Sequence, residues 1–549
     1  MMIIHSETMM LDHIFKCCGG KRNLTRVLVA NEQLILEVND DTLLNLDNSE
    51  ISCTEVTGKI QIAYPLSQEI DPSFLSAIAA EISLSQRDLL TQVQQPVECI
   101  HRPKWHISPP QGLLNDPNGF IFHNGQYHLF YQWSPFTCSH KDKYWAHLVS
   151  TDLINWQWLP VALTPSDWFD SHGVFSGHAL SVADELWVYY TGNTRIGSER
   201  IRQTTQCLAI SKDGVNFEKL GPVIDCPAPN VTEHMRDPKI IRQQDEWLML
   251  LGAQRNDMTG RLAVYTSTDL RNWQFDKLYG DELGQLGYMW ECPDMFELGG
   301  QSWVVIGPQG IASESPYHTV PHHNRIAKAT KSDTNRLILE QPQPLDHGFD
   351  FYAPQTLQTP DGRRVMSGWM GLPDEIEHPS QGWVHQLTAL RELSLVDGCL
   401  KQWPIAEIAQ LHGVEQNISL SSEGIDLGTK SFDLSITMQW GQTLRLFENS
   451  HQSCQIDLDE NKRILRLDRT ETLIKQGDVI RELPLMSEQV SLRILADSSS
   501  IEIFVNGGEQ VLSARIFTDK DATNLSLYGG VTQVTCYPIQ RATPPFIQP

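Results

Sequence analysis

Positive charge is scarce in this sequence. Lysine and arginine number 42 against 67 aspartate and glutamate residues, so the 549-residue chain carries a formal net charge of −25. Nucleic acids and anionic membranes require a basic surface on the protein, and this balance argues against both as main partners. It also makes an anionic substrate difficult to attract unless basic residues cluster locally.

Long apolar runs and paired cysteines are also missing. No stretch of about 18 apolar residues could cross a bilayer, and residues 1–20 lack the basic stretch and apolar run of a secretory signal. The eleven cysteines are irregularly spaced and include no Cys-x-x-Cys pair, which argues against a disulfide framework and a zinc ribbon. We therefore expect a soluble, cytoplasmic protein with no cofactor and no metal.

The first hundred residues differ in texture from the rest of the chain. Two strand-like stretches, 26–38 and 51–64, precede an amphipathic segment over 71–93 that starts at Asp71-Pro72 and has apolar residues near helical spacing. No group of residues here carries recognisable chemistry. Residues 1–100 are therefore predicted to form a small α+β N-terminal extension, an accessory module of unknown role.

Five hairpin-like units recur at intervals of about 60 residues between 101 and 404. A second repeat, Ser-x-Asp followed by Asn and an aromatic residue, begins at Ser150, Ser211 and Ser267. Repeated four-strand units of this length are typical of a β-propeller with one blade per repeat. We therefore predict an all-β protein in which residues 101–404 form a five-bladed propeller; unrelated hairpins in a large sandwich are the alternative. The hairpin turns are Asn124-Gly125, Asp184-Glu185, Asp245-Glu246, Gly299-Gly300 and Asp361-Gly362.

The repeat stops after the fifth unit. A short helical linker is predicted at 405–414, and 415–549 contains alternating strands with an Asn506-Gly507 hairpin turn. This pattern predicts a separate C-terminal antiparallel β-sandwich.

Acidic residues occupy equivalent positions in three of the five units. The position eight residues before each hairpin turn holds Asp116, Ser176, Asp237, Glu291 and Ala353 in turn. A propeller brings the starts of its innermost strands together around the mouth of its axial channel. Because carboxylates pack poorly at strand starts, their shared register indicates a functional site.

Convergent carboxylates can bind a metal or cleave a glycosidic bond. The metal interpretation lacks an Asp-x-Asp-x-Asp calcium loop. A glycosidase needs only an ionised carboxylate as nucleophile and a protonated one as general acid, and a third can accept hydrogen bonds from sugar hydroxyls. Five tryptophans near these strand ends could form aromatic walls around a sugar or pack between blades: Trp105, Trp133, Trp145, Trp290 and Trp369.

At these acids the chain resembles glycoside hydrolase family 32, the family of invertases and sucrose-6-phosphate hydrolases. Its motifs Asn-Asp-Pro-Asn-Gly, Arg-Asp-Pro and Glu-Cys-Pro occur in order at 115–119, 236–238 and 291–293. The resemblance covers most of 101–540. The segments 175–177, 351–356, 368–370 and 501–506 also fit the pattern.

The resemblance implies a retaining fructosidase. Asp116 would be the nucleophile, Glu291 the acid/base, and Asp237, held by Arg236, the stabiliser of the fructosyl hydroxyls. A retaining mechanism predicts about 5–5.5 Å between the carboxyl groups of Asp116 and Glu291. The residues implied to bind substrate are Leu114, Asn115, Pro117, Gln132, Trp145, Phe175, Ser176, Arg236, Tyr352 and Trp369.

The motifs at 143–147, 287–291 and 382–386 are most similar to those of bacterial sucrose-6-phosphate hydrolases. The implied reaction is cleavage of sucrose 6-phosphate to glucose 6-phosphate and fructose, in sucrose catabolism. Possible phosphate contacts are His140, Lys141, Lys143, Arg195 and Arg202.

Other functions and the assembly of the chain stay open. An intracellular invertase or fructan hydrolase acting on unphosphorylated sucrose or fructo-oligosaccharides would keep the same acids, as would a fructosyl-transferring enzyme. A binding-only propeller should lose one acid, and none is missing. The oligomeric state, monomer or homodimer, is not predicted.

Overall fold

The structure is a computed structural model, and it is mostly β. Parts of three predicted elements lie outside the described residues. They are both ends of the amphipathic segment, at 71 and 92–93, and positions 31–32 and 57 in the two strand-like stretches. Among the described residues, no helix is both long and apolar enough to cross a membrane. The structure describes residues 2–30, 33–46, 51–56, 58–65, 72–91, 96, 99–197, 199–312, 322–331, 337–373, 382–473 and 478–542.

The described residues of the N-terminal part form two α-helices and one antiparallel sheet in the order β1-β2-β4-β3. Each predicted strand-like stretch is a pair of strands rather than one. In the second helix the apolar residues Phe74, Ile78 and Ile82, at helical spacing, are buried. Leu89, which continues this spacing and is expected to be buried, is 53% exposed, and its neighbour Leu90 is buried. The elements are α1 (Met2–Cys17), β1 (Leu24–Ala30), β2 (Gln33–Val38), β3 (Ser52–Val56), β4 (Lys59–Pro65) and α2 (Pro72–Thr91).

Five antiparallel sheets follow, each beginning with an innermost strand. Each innermost strand packs against the next, and the last packs against the first, which is the arrangement of a β-propeller. The five sheets are β5 (Gly112–His123), β6 (Gln126–Ser134), β7 (Tyr144–Ser150) and β8 (Gln157–Leu163); β9 (Val174–Val182), β10 (Glu185–Ile196), β11 (Ile201–Ser211) and β12 (Glu218–Ile224); β13 (Val231–Gln243), β14 (Glu246–Arg255), β15 (Gly260–Ser267) and β16 (Gln274–Tyr279); β17 (Met289–Leu298), β18 (Gln301–Gln309), β19 (Arg325–Lys331), β20 (Leu337–Leu339) and β21 (Gln343–Pro344); and β22 (Tyr352–Gln358), β23 (Arg364–Met370), β25 (Gln386–Leu387), β26 (Arg391–Val396) and β27 (Cys399–Pro404).

One short strand from the end of this region joins its first sheet. β24 (Trp383–Val384) pairs in parallel with β5, placing Trp383 opposite Gly112 and Val384 opposite Leu113. The backbone N–H of Gly112 also donates to the carbonyl of Gly382 at 2.8 Å. The last part of the propeller therefore holds the first sheet in place.

The second sequence repeat forms the same turn three times. Each serine hydroxyl donates to the aspartate two residues later at 3.0 Å, in the pairs Ser150–Asp152, Ser211–Asp213 and Ser267–Asp269. The asparagine three residues further on donates to the other carboxylate oxygen of each aspartate at 2.7–2.8 Å. Each turn is thus closed by its own side chains.

The C-terminal part is a sandwich of two six-stranded sheets that share one apolar core. Strands such as β33 alternate buried and half-exposed residues, as expected for a sheet with one face on the core. A short 3-10 helix, Ala406–Leu411, lies at the predicted linker. The strands are β28 (Gln416–Leu420), β29 (Ile425–Asp426), β30 (Phe432–Met438), β31 (Thr443–Glu448), β32 (Cys454–Asp459), β33 (Ile464–Asp468), β34 (Ile480–Pro484), β35 (Val490–Asp497), β36 (Ser500–Val505), β37 (Gln510–Arg515), β38 (Asn524–Tyr528) and β39 (Thr532–Pro538).

A buried ionic network joins the sandwich to the propeller. His106 contacts Asp497 at 2.9 Å and Glu502 at 3.1 Å through its two ring nitrogens. Arg391 pairs with Glu502 at 2.6 Å and with Asp346 at 3.0 Å, and all five side chains are at most 1% exposed. Because unpaired charges are costly at such depth, these pairs fix the two parts against each other.

Candidate active site

Each innermost propeller strand is irregular at the position that the repeat selects. The pairing register shifts between Leu114 and Pro117 in β5, and comparable shifts occur in β9, β13, β17 and β22. A β-bulge bends a strand and redirects a side chain. The five shifts coincide with Asp116, Ser176, Asp237, Glu291 and Ala353, so the carboxylates leave the sheet at the same level.

Asp116 accepts three side-chain hydrogen bonds. Its Oδ2 accepts from the Ser176 hydroxyl at 2.5 Å and the Cys292 thiol at 3.4 Å, and its Oδ1 accepts from the Asn115 amide at 3.2 Å. Burial raises the pKa of Asp116, the Ser176 hydrogen bond opposes that rise, and the nearby charge of Glu291 adds to it. The carboxylate is therefore oriented and partly stabilised by its neighbours.

Glu291 is held by donors on both of its oxygens. Arg236 donates to Oε1 from Nε at 3.0 Å and from Nη2 at 2.6 Å. Gln309 and the Tyr352 hydroxyl donate to Oε2 at 2.6 and 2.8 Å. Arg236 also forms an ion pair with Asp237 at 3.9 Å, but its hydrogen bonds to a carboxylate go to Glu291.

Asp237 interacts electrostatically with both other acids and is anchored through its backbone. Its φ is 66°, and its N–H donates to the Thr191 hydroxyl at 2.9 Å. Its Oδ2 accepts from the backbone N–H of Cys292 at 2.9 Å. Burial raises the pKa of Asp237 to about 7; the Arg236 charge opposes the rise, and the charges of Glu291 and Asp116 add to it.

The three acids open into one cavity of about 390 Å³. Ten of the other residues predicted from the sequence also line it, namely Asn115, Gln132, His140, Lys141, Lys143, Phe175, Arg195, Arg236, Tyr352 and Trp369. We call the buried end of this cavity, with Asn115, Asp116, Gln132, Asp237 and Glu291, the floor. The more exposed lining residues, His140, Lys141, Asp142, Arg195 and Arg200, form the rim.

Four predicted substrate contacts lie behind the cavity wall instead of in it. The Leu114 carbonyl contacts His385 at 3.2 Å, and Pro117 is buried in the bulge of β5. Trp145 donates to the Phe175 carbonyl at 3.0 Å, and Ser176 points at Asp116. Leu114 and Pro117 flank the two residues of the β5 bulge that do line the cavity, Asn115 and Asp116.

Most of the tryptophans that could have formed walls around a sugar instead pack elsewhere in the structure. Trp133, Trp145 and Trp290 are at most 1% exposed and belong to apolar cores. Trp105 donates to the Ala496 carbonyl at 3.2 Å, beside the sandwich. Of these five tryptophans only Trp369 lines the cavity.

The possible phosphate contacts lie at different depths: Lys143 is buried beside the floor, three residues lie at the rim, and Arg202 lies outside the cavity lining. Lys143 is 5% exposed and donates to Asn115 Oδ1 at 2.8 Å, and burial lowers its pKa to about 7 against the opposing charges of Asp116 and Asp142. Arg202 does not line the cavity but lies 5.8 Å from the Phe175 ring. His140, Lys141 and Arg195 lie at the rim, where an anionic group could reach them.

Five lining residues were not predicted. Arg200 could have been found, because Arg195, Arg200 and Arg202 form a run of arginines across one hairpin. Asp142 lies between two lysines that were predicted. Nothing in the sequence marks the rest; the full set is Asp142, His172, Asn193, Arg200 and Pro373.

Within the described residues, no three His, Cys, Asp or Glu side chains are placed to hold a metal ion. All eleven cysteines lie in the described part of the chain and are free thiols. Cys292 touches two of the acids, and burial raises the pKa of its thiol, so it acts as a neutral neighbour.

Known proteins resemble this chain over most of its length. The descriptions "Glycosyl hydrolases family 32 N-terminal domain" and "Glycosyl hydrolases family 32 C terminal" match residues 106–404 and 407–541. A probable sucrose-6-phosphate hydrolase of Psychromonas ingrahamii is 54% identical over 544 residues, covering 98% of this chain and 100% of that protein. The sucrose-6-phosphate hydrolase of Salmonella typhimurium is 40% identical, covering 76% and 89% of the two chains.

Solved structures show the same fold. That of a sucrose-6-phosphate hydrolase from Lactobacillus gasseri has a TM-score of 0.76 at 29% identity, covering 83% of this chain and 97% of that chain. A variant of the Bombyx mori GH32 beta-fructofuranosidase in complex with sucrose has a TM-score of 0.73 at 30% identity, covering 86% and 99%.

A β-propeller followed by a β-sandwich, with a carboxylate-lined cavity in the propeller, defines a glycosidase of the fructofuranosidase type. Together the two family matches span most of the sequence. The chain belongs to glycosyl hydrolase family 32, which confirms the resemblance read from its motifs.

Proposed function

We propose that this glycosidase hydrolyses sucrose 6-phosphate to glucose 6-phosphate and fructose, as a step of sucrose catabolism in the cytoplasm. The names of its relatives support this substrate. The observation that carries the proposal is the charge of the rim. A phosphorylated sugar requires cations beside the acidic floor, at a distance that a sugar ring can span.

The rim supplies those cations without carboxylate partners of their own. Within the described residues, Lys141, Arg195 and Arg200 form no ion pair, and Arg195 Nη1 reaches only the Arg200 carbonyl at 3.5 Å. Arg202 stands behind them, close enough to Arg195 and Arg236 that burial and these like charges lower its pKa to about 9. Such a group of unpaired arginines is suited to a dianion.

The reaction would proceed by double displacement. Glu291 donates its proton to the glycosidic oxygen while the Asp116 carboxylate attacks the anomeric carbon of the fructosyl unit, so the C–O bond to glucose 6-phosphate breaks as a fructosyl ester forms. Glu291 then takes a proton from water, whose oxygen attacks the same carbon and releases fructose and free Asp116. Asp237 would accept hydrogen bonds from fructosyl hydroxyls. The predicted carboxyl separation of about 5–5.5 Å belongs to this proposal.

The other floor and wall residues would orient the fructosyl ring. Asn115 and Gln132 are hydrogen-bonded to each other and present amide groups to the cavity. Phe175, Tyr352 and Trp369 present aromatic surface. Leu114, Pro117, Trp145 and Ser176 would act through these residues.

Replacing Asp116 with asparagine tests the assigned roles. The amide has nearly the same shape but cannot form the ester, so we expect kcat to fall by about four orders of magnitude or more while the fold persists. Steady-state kinetics and the thermal unfolding midpoint measure both. The control is Asp184→Asn in an exposed hairpin turn, which should leave kcat unchanged; an active Asp116→Asn enzyme would refute the nucleophile.

Comparing the two sugars tests the substrate. We expect kcat/KM for sucrose 6-phosphate to exceed that for sucrose by about a hundredfold or more, mostly through KM, since each of two charge-assisted contacts contributes a net of about 1.5–3 kcal/mol, at least about tenfold. A higher kcat/KM for sucrose would reject the phosphorylated substrate.

An invertase or fructan hydrolase is the second candidate. The likeness to a fructofuranosidase that binds unphosphorylated sucrose favours it. Product analysis on sucrose and inulin would detect it. If the enzyme releases fructose from inulin about as fast as from sucrose 6-phosphate, substrate binding in the cavity does not depend on a phosphate group.

The finer organisation of the chain is also part of the proposal. We assign residues 1–100 to an α+β accessory module, 101–404 to a propeller whose five sheets are five blades, 405–414 to a linker and 415–549 to the sandwich. The cyclic packing of the innermost strands supports the blade count, and the separate cores support the division.

A further inference from the structure

One side chain of the N-terminal part reaches the active-site rim. Arg26 lies on β1 and is only 7% exposed. It belongs to the N-terminal sheet, whereas the site lies in the propeller. Its Nη2 donates to Asp142 at 2.5 Å, and its Nε donates to the carbonyl of Ser171. Asp142 is a rim residue, and Ser171 directly precedes His172 in the cavity wall. Arg26 thus links two separate segments of that wall.

Arg26 is itself fixed from behind. Its Nη1 pairs with Glu37 at 2.7 Å, and Glu37, only 2% exposed, also accepts from Gln61 at 2.9 Å. Glu37 lies on β2 and Gln61 on β4, the next two strands of the N-terminal sheet after β1. The guanidinium is therefore held in one position by its own sheet and presented to the propeller.

The partner of Arg26 is an unusual residue for this cavity. Apart from the three acids of the floor, Asp142 is the only carboxylate among the lining residues the structure describes. It lies between Lys141 and Lys143 in the sequence. An unpaired carboxylate there would repel a phosphate at the rim and would pair with the lysines that should meet it.

We propose that Arg26 neutralises Asp142 and thereby makes the rim selective for a phosphorylated sugar, so that the N-terminal module acts as a specificity-determining part of the active site. This inference rests on the proposed substrate. Arg26 is a positioning residue, since it acts through Asp142 and the Ser171 carbonyl without lining the cavity.

The module is docked by other contacts that do not involve the cavity. Ser83 on α2 hydrogen-bonds Thr164 at 2.9 Å, and Trp168 packs against the module core. Arg87 donates to Asn216 at 3.2 Å, and Asn216 lies in the loop between β11 and β12 of the second sheet. Losing the Arg26–Asp142 pair alone should therefore leave the module in place, and Arg87 provides a matched arginine for comparison.

The test replaces the charges without leaving a buried ion unpaired. Arg26→Gln combined with Glu37→Gln removes the cation and its buried partner together, and amide hydrogen bonds can replace the pair. We expect KM for sucrose 6-phosphate to rise about tenfold, with kcat and both parameters for sucrose unchanged. Adding Asp142→Asn should restore KM to within about twofold, because the repelling carboxylate is gone. Thermal unfolding midpoints establish that each variant is folded.

Three results would overturn the role of Arg26. The first is an unchanged KM for sucrose 6-phosphate in the double variant, and the second is a raised KM that Asp142→Asn does not restore. The third is the same loss in Arg87→Gln, which would show that docking in general is responsible. A wild-type enzyme with no preference for the phosphorylated sugar would instead reject the proposed substrate and this inference with it, so the two failures are told apart.

Discussion

Asp116 receives two hydrogen bonds of different strength on one oxygen. The Ser176 hydroxyl lies 2.5 Å from Oδ2, and the Cys292 thiol lies 3.4 Å away. A hydroxyl stabilises a carboxylate more than a thiol does. Since burial raises the pKa of Asp116 and these donors oppose the rise, they set the pH below which the nucleophile is protonated and inactive.

Changing either donor should move the acid limb of the pH profile. Ser176→Ala removes the stronger donor, so the pKa of Asp116 should rise, the limb should shift to higher pH, and kcat/KM near pH 6 should fall about tenfold. Cys292→Ser supplies a stronger donor and should shift the limb to lower pH. The measurement is kcat/KM against pH. Ser181→Ala, on the same strand but bonded to His123, is the control; shifts of equal sign in the first two variants would contradict the assignment.

The three acids could be predicted from the sequence, but their partners could not. Spacing from the hairpin turns selects Asp116, Asp237 and Glu291 because the blades repeat. The pairing of Arg236 with Glu291 depends on the directions that two bulges give to side chains 55 residues apart, and no local pattern encodes those directions. The same holds for the tryptophans, whose burial depends on the strand face they occupy.

One hairpin carries most of the rim charge. β10 and β11 pair from Leu186 to Ile196, and Arg195 lies directly opposite Arg202 in that register. Arg200 is the last residue of the turn between them, where its N–H donates to the Gly197 carbonyl at 3.1 Å. Like charges directly opposite each other on a sheet are destabilising, so an anionic ligand is the natural partner of this arrangement.

Removing one of these arginines should affect one substrate only. Arg200→Gln should lower kcat/KM for sucrose 6-phosphate about tenfold, through KM, because a charge-assisted contact is lost, and should leave sucrose hydrolysis unchanged. The control is Arg271→Gln, whose guanidinium stacks on Trp187 away from the cavity. Equal losses with both sugars would show that Arg200 supports the loop and not the phosphate.

The elements themselves were predictable to different degrees. α2 begins at a proline after an aspartate, a strong start signal, and its spacing predicts its buried face. α1 has no acidic residue in its first turn and no such signal, so the sequence does not mark it. Propeller strands such as β7 are buried at all seven positions, so they lack the alternation of buried and exposed residues that marks a strand with one face in water.

At the scale of the whole molecule, the propeller and the sandwich share a buried charge network. Burial lowers the pKa of His106, but its hydrogen bonds to Asp497 and Glu502, with their charges, outweigh this and raise the pKa above its ordinary value. The folded state therefore favours the imidazolium. Its contribution to stability is full below about pH 6.5 and is lost as the pH rises through the raised value.

The thermal unfolding midpoint should record this titration. We expect the wild-type midpoint to fall between pH 6 and pH 9, and His106→Gln to be destabilised at pH 6 by about 3–5 kcal/mol, because two buried carboxylates lose a charged partner. The variant should show a smaller fall over the same range. His451→Gln, at an exposed position, should match the wild type; an unchanged pH dependence in His106→Gln would refute the role of the network.

The repeat predicts the propeller, since equal units imply equal blades, but it contains no information on how the N-terminal part docks. That docking depends on single long-range contacts such as Arg26 with Asp142, which join residues 116 positions apart. Composition likewise gives no position for the charges. A net charge of −25 does not show that Lys141, Arg195 and Arg200 share one rim, or that Asp142 is paired with Arg26.

The pairing of β24 with β5 has a consequence for synthesis. The first sheet receives its last strand from a segment about 270 residues later in the chain, which at about 5–20 residues per second takes tens of seconds to appear. Until then Gly112 and Leu113 form an open edge. Because closing so long a loop costs entropy before any contact repays it, we expect this junction to be among the last to form, and a nascent chain cut short before it to be inactive although every acid is already present.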